Sequence, residues 1–87
     1  MYSFDIKEQL DKKFQKLSKK NPTQLKIIHN KIQEVIQNPQ HFKNLRKPFQ
    51  RYKRVHIDKS FVLIFSVDEE NKKVIFEEFD HHDRIYQ

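Results

Sequence analysis

Tyr52-Lys53-Arg54-Val55-His56-Ile57, Phe61-Val62-Leu63-Ile64-Phe65-Ser66-Val67 and Lys73-Val74-Ile75-Phe76-Glu77-Glu78-Phe79 are three strand-like runs in close succession. Between them lie Asp58-Lys59-Ser60 and Asp68-Glu69-Glu70-Asn71, short polar segments suited to hairpin turns. Short turns force antiparallel neighbours, so the runs form a meander. The middle run is apolar on both faces, which places it at the centre of a sheet with helices covering one side. In the first run, alternation puts Tyr52, Arg54 and His56 on one face and Lys53, Val55 and Ile57 on the other. Two aliphatics turn the second set toward the helices and leave the first set on the open face.

Upstream, Tyr2-Ser3-Phe4-Asp5-Ile6 alternates apolar and polar and reads as a short strand. Asp5 with Glu8 has the form of a capping box, so the change from strand to helix is expected near residues 5–7. Ile6, Leu10, Phe14 and Leu17 then recur at helical spacing, predicting an amphipathic helix to about residues 18–20. Asn21-Pro22-Thr23-Gln24 starts a second helix. Asn suits the N-cap, Pro the first helical position, and Gln can bond back to the cap. Leu25, Ile28, Ile32, Val35 and Ile36 form its apolar stripe, and Asn38-Pro39 ends it. A short connection makes the pair an antiparallel hairpin. The order is β-α-α-β-β-β. It predicts an α+β domain spanning 1–87, with a two-helix hairpin packed on one face of a small, mainly antiparallel sheet.

The chain has 87 residues and no cysteine, so one domain without disulfides or thiolate metal sites is expected. Glycine is also absent, so left-handed turn positions fall to Asn or Asp, with Asn71 and Asp58 as candidates. No apolar run approaches the ~18–20 residues of a membrane span. No charged-then-apolar leader is visible, so the cytoplasm is the expected compartment. Eighteen Lys+Arg against 12 Asp+Glu give a formal charge of +6. Such a balance suits a polyanionic partner, since each phosphate contact releases a counterion. It is equally compatible with a Lys-rich, Asn-rich compositional bias.

After the third run comes Asp80-His81-His82-Asp83-Arg84-Ile85-Tyr86-Gln87, a dense cluster of groups able to move protons or hold charge. Acid–base cleavage of RNA needs a base for the ribose 2′-OH, an acid for the leaving 5′-oxygen and cations for the charged phosphorane. Histidine suits the proton transfers because its reference pKa is about 6.5. Arginine suits the charge through its forked donors, and an aromatic holds a base by stacking. His56, His82, Arg54 and Tyr86 are the catalytic candidates. Adjacent His81 and His82 point to opposite sides of an extended chain, so only one shares a site with His56. His82 is preferred, with Tyr86 four residues on. The expected RNA-facing set is Lys43, Arg46, Lys47, Arg51, Lys53, Phe61, His81 and Arg84.

Each of these residues also has a plain structural reading. His56 fits a half-buried surface position, Arg54 a surface charge and Tyr86 a packing lid. Asp80 and Asp83 either orient a histidine or are solvated. His29 falls near the apolar stripe of the second helix and reads as a packed or boundary residue; His41 carries no signal. Consecutive histidines chelate poorly in one tetrahedral site, so neither a metal nor another cofactor is expected.

The run Arg54-Val55-His56-Ile57-Asp58-Lys59-Ser60-Phe61-Val62-Leu63-Ile64-Phe65, with the C-terminal cluster, resembles the RelE/ParE toxin superfamily, closest to RelE-like mRNA interferases of the YafQ type. The resemblance spans the whole chain. It implies the toxin of a type II toxin–antitoxin pair that enters the ribosomal A site and cleaves mRNA. It also implies a cognate antitoxin that wraps the toxin and covers basic surface. The toxin alone would be a monomer or weak dimer, and with antitoxin a hetero-oligomer. His56 matches the strand histidine of the YafQ branch, Phe61 an aromatic at the start of the central strand, His82 the C-terminal histidine and Tyr86 the aromatic after it. Three positions depart. Lys43 stands where that branch has a histidine, Ser60 where it has an aspartate, and Val62 where the RelE branch proper has an arginine. A ParE-like toxin directed at gyrase, and a degenerate relative that only binds RNA or antitoxin, are the competing readings.

Overall fold

The structure, a computed structural model, describes residues 1–85. In chain order it contains β1 (Ser3–Ile6), α1 (Glu8–Lys20), α2 (Pro22–Gln37), a single 3₁₀ turn (Pro39–His41), β2 (Lys53–Ile57), β3 (Phe61–Asp68), β4 (Lys73–His81) and α3 (His82–Ile85). The strands form one sheet in the order β1-β4-β3-β2. β3 is antiparallel to both neighbours, and β1 is parallel to β4. The α+β architecture read from the sequence is the one observed.

Local chemistry accounts for most boundaries. The Asn21 side chain accepts the backbone N–H of Gln24 at 3.1 Å, and Pro22 opens α2. The reciprocal half of that cap does not form. Gln24 is buried, and its side chain donates to Asp58 Oδ2 at 3.3 Å, tying α2 to the β2–β3 turn. Asp58 sits at φ 54°, as the lack of glycine requires. The second left-handed position is Lys72 at φ 51°, not Asn71. Asn71 is held by the Asp68 carboxylate through its backbone N–H and side-chain amide, at 3.2 and 2.8 Å. The reversal into β4 is thereby passed to the next residue.

The capping box at Asp5 does not form either. Asp5 stays in β1 and pairs with Lys73 at 3.0 Å, while α1 starts after Lys7 without a side-chain cap. Parallel pairing of β1 with β4 through Ile6 and Phe76 extends the strand past the cap position. Tertiary pairing overrides the local signal.

The core lies between the helix hairpin and the sheet. Leu10 and Phe14 of α1 and Ile28, Ile32, Val35 and Ile36 of α2 pack on Val55, Ile57, Leu63, Phe65, Val74, Phe76 and Phe79. Full burial of one such side chain stabilises by about 1.5–3 kcal/mol, so these positions dominate the fold. Phe76 and Phe79 are three apart yet both face the helices. A β-bulge explains this: Ile64 pairs with Glu78 and Phe65 with Phe76, leaving Glu77 as the extra residue. The bulge reverses the phase of β4. Beyond it, Phe79 and His81 lie on the helix side and Asp80 on the open side. β4 also runs to His81, past the expected end at Phe79.

Candidate active site

β2 and β4 flank β3, and register sets what meets across it. His56 pairs with Val62, and Val62 pairs with Asp80. The chain then leaves β4, and the backbone N–H of His82 donates to the Ser60 carbonyl at 2.7 Å. That bond anchors His82 beside the start of β3. The His56 and His82 rings stand near-parallel, 24° apart in plane, with centroids separated by 6.2 Å. Both residues are exposed. At that separation each ring can address one phosphate group from its own side.

Beside the imidazoles is a hollow of about 540 Å³ lined by Asn44, Leu45, Arg46, Lys47, Phe49, Arg54, His82 and Ile85. The loop between the 3₁₀ turn and β2 forms its outer wall. Leu45 N–H donates to Tyr52 O at 2.9 Å, and Arg54 N–H donates to Lys43 O at 3.1 Å, stitching this loop onto β2. Lys53 completes the attachment. It is 8% exposed on the helix side, and its Nζ donates to Phe42 O at 3.0 Å and Asn44 Oδ1 at 3.1 Å. Arg46, Lys47 and Arg54 thus line the hollow that His82 also lines. α3 is four residues long. Its first turn is braced by the Asp83 N–H donating to His81 Nδ1 at 3.2 Å.

Several expected site residues take other positions. Lys53 is consumed by the loop clamp and does not face the open side. Phe61 is half-buried on the helix side, stacked on Phe79 at 5.2 Å and edge-on to His81 at 5.4 Å. His81 shares that side because of the bulge. The structure places these three apart from the hollow that Arg46, Lys47, Arg54 and His82 line. Arg51 is exposed, lies over the Tyr52 ring at 4.6 Å and donates to the Tyr52 hydroxyl. Arg84 pairs with Asp80 at 3.7 Å and borders neighbouring hollows instead of the main one. Lys43 is exposed on the same loop, outside the lining. Tyr86 lies outside the described residues. Asp83 stands 3.6 Å from His82 Nδ1 and 3.7 Å from His81 Nδ1, between the two rings and beyond hydrogen-bond length. His29 is exposed, so the packed reading of that position does not hold.

One lining residue went unnoticed in the sequence. Phe49 is a large aromatic left 57% exposed in the wall of the hollow. Its only sequence signal is negative: it sits in a basic, proline-containing loop with no apolar periodicity to bury it.

The family described as the ParE toxin of the type II toxin–antitoxin system, parDE, matches residues 2–86. A Methanocaldococcus jannaschii protein named as a candidate toxin, RelE4, is 60% identical over 87 residues, covering 100% of this chain and 93% of its own. The YoeB/ParE toxin from Agrobacterium tumefaciens superposes with a TM-score of 0.81 at 10% identity, over 92% of this chain and 98% of that one. The toxin–antitoxin complex RelBE2 from Mycobacterium tuberculosis gives a TM-score of 0.76 at 18% identity, over 93% and 98%. This chain belongs to the RelE/ParE family and is a toxin of the type II toxin–antitoxin class. Among the described residues no helix is long and apolar enough to cross a membrane.

Proposed function

We propose that this toxin is a ribosome-dependent endoribonuclease that cleaves mRNA in the A site. The observation that carries the proposal is the near-parallel pair His56 and His82 beside a hollow lined by Arg46, Lys47 and Arg54. In this mechanism one imidazole takes the proton of the ribose 2′-OH as its oxygen bonds to the adjacent phosphorus. The other gives a proton to the departing 5′-oxygen as the P–O bond breaks. The products are a 2′,3′-cyclic phosphate and a free 5′-hydroxyl. His82 is assigned as the acid and His56 as the base. Arg54 balances the charge of the phosphorane, with Arg46 and Lys47 holding flanking phosphates. Tyr86 follows the same segment and is assigned to positioning the strand.

The partner proposed for control is a cognate antitoxin, in keeping with the family and with the RelBE2 complex among similar structures. An acidic antitoxin segment lying over the cationic hollow would deny RNA the same surface. The resulting hetero-oligomer would reside in the cytoplasm, where the ribosomes are.

Expression of the wild-type protein without antitoxin should arrest growth, and primer extension should map new mRNA ends within translated codons. His56→Ala and His82→Ala should relieve the arrest while the purified proteins still fold. Full toxicity of the double variant would remove the nuclease mechanism. The ParE family match favours one second reading, a gyrase-directed toxin that has no need of the histidines. Trapped DNA breaks on gyrase, with intact mRNA, would select it.

A further inference from the structure

Three described large apolar side chains are exposed: Met1, Phe4 and Phe49. Met1 is at the chain start, and Phe4 packs edge-on against Phe76 at 5.9 Å. Phe49 differs from both. Among the described residues its ring has no aromatic or cationic partner, yet its backbone is fixed on both sides. Its N–H donates to Arg46 O at 2.9 Å, and its carbonyl accepts Tyr52 N–H at 3.0 Å. The ring is held by a closed loop and presented to solvent.

Its surroundings indicate what covers it. Phe49 lines the hollow that contains Arg46, Lys47, Arg54 and His82, and also borders an adjoining hollow of about 330 Å³. The carboxylates of that second hollow are already engaged. Glu77 pairs with Lys7 at 3.7 Å, Glu78 pairs with Lys13 at 2.6 Å, and Asp80 pairs with Arg84 at 3.7 Å. The charge around the ring is therefore set by the cations of the first hollow. A flat apolar ring among phosphate-binding side chains matches an unstacked nucleotide, which offers a π-face and a negative charge a few ångströms apart. A protein segment would need its own carboxylates to be placed at the same spacing.

We infer that Phe49 is a stacking platform for a nucleobase next to the cleaved phosphate. The inference rests on the RNA-directed reading of the hollow and adds a positioning residue to it. Stacking accepts every base, so Phe49 strengthens the grip on an opened strand without choosing the codon.

The chain has no tryptophan, so Phe49→Trp places a single indole reporter at the platform. The probe is a dye-labelled hexamer of 2′-O-methyl RNA, which lacks the attacking hydroxyl and cannot be cut by the proposed route. Binding should raise the dye anisotropy and quench the indole emission together. An abasic hexamer of equal charge should bind without quenching. Phe49→Leu keeps an apolar surface without a π-face and should weaken hexamer binding roughly 5- to 100-fold, whereas Phe49→Tyr should match the wild type. Anisotropy without quenching, or full affinity in Phe49→Leu, would overturn the platform and leave the nuclease reading standing. Quenching by antitoxin but not by RNA would make Phe49 a protein contact instead. No hexamer binding by any variant, the wild type included, would overturn the platform, while cleavage of mRNA on programmed ribosomes decides the nuclease reading separately.

Discussion

His81 and His82 are neighbours in the chain, but their surroundings lie on opposite sides of the sheet. On the helix-covered side, polar and aromatic residues serve the fold. Lys53 clamps the basic loop, Phe61 stacks on Phe79, and His81 braces the first turn of α3. On the open side, Arg54, His56 and His82 border solvent beside a cationic hollow. A cation and a histidine stand on each side. Which of them borders the hollow is decided by strand alternation and by one bulge, so identity alone is a poor guide to position.

The largest test of this contrast is a matched set of histidine substitutions. His56→Ala and His82→Ala should each lower mRNA cleavage on programmed ribosomes by about 10²–10⁴, the usual worth of a positioned acid or base. His81→Ala should cost less than about tenfold, through looser placement of α3. Equal losses at all three positions would erase the distinction between the two sides.

Lys53→Ala against Arg54→Ala asks the same question of adjacent cations. Removing the buried Lys53 amine leaves the Phe42 carbonyl without this donor and should destabilise by about 1–3 kcal/mol in urea unfolding. Arg54→Ala should lower cleavage of the folded protein, an effect that Lys53→Ala should not match once its loss of stability is allowed for. The reverse pattern would place the RNA on the helix side.

Salt dependence sharpens the open side further. Arg46→Ala and Lys47→Ala should each reduce the slope of log K against log salt by about 0.7 for single-stranded RNA, as one phosphate contact is lost. Lys53→Ala should leave that slope alone. Anisotropy titrations from low to moderate salt would measure it.

The smallest effect is expected at the other end of the sheet. There, hydrogen bonds from Gln40, then Lys72 and Tyr2, hold the Glu69 carboxyl below its ordinary value of 4.5. A depressed carboxylate stabilises the fold fully above its unfolded pKa, and the benefit is lost as pH falls through the lowered folded value. Acid melts of the wild type should therefore decline below about pH 4.5, and Glu69→Gln should flatten part of that decline. Activity should not follow, because Glu69 ties Tyr2, Gln40 and Lys72 together far along the strands from His56.

Legibility in the sequence follows the range of the interaction. Asn21 as a cap, Asp58 as a left-handed turn residue and β3 as the central strand are all local matters of side-chain chemistry or hydropathy, and each is found as expected. The split of β2 into Arg54 and His56 against Val55 and Ile57 was also legible, since alternation needs no partner to be known. The roles of Gln24, Lys53 and Phe61 were not. Each depends on a group far along the chain: Asp58, Phe42 and Phe79 respectively. Phe49 escaped because exposure of a ring is a property of the packed surface.

From the residues alone came the β-α-α-β-β-β order, the helix hairpin, the meander and the open face of β2, but not the 3₁₀ turn or α3, because periodicity and turn chemistry act over a few residues. Packing decided the bulge at Glu77, the different sides taken by His81 and His82, and the bond from His82 to Ser60 that holds His82 near His56. An extra residue in a ladder is set by how two strands must match while both bury their aromatics, and that balance exists only once the whole sheet has formed.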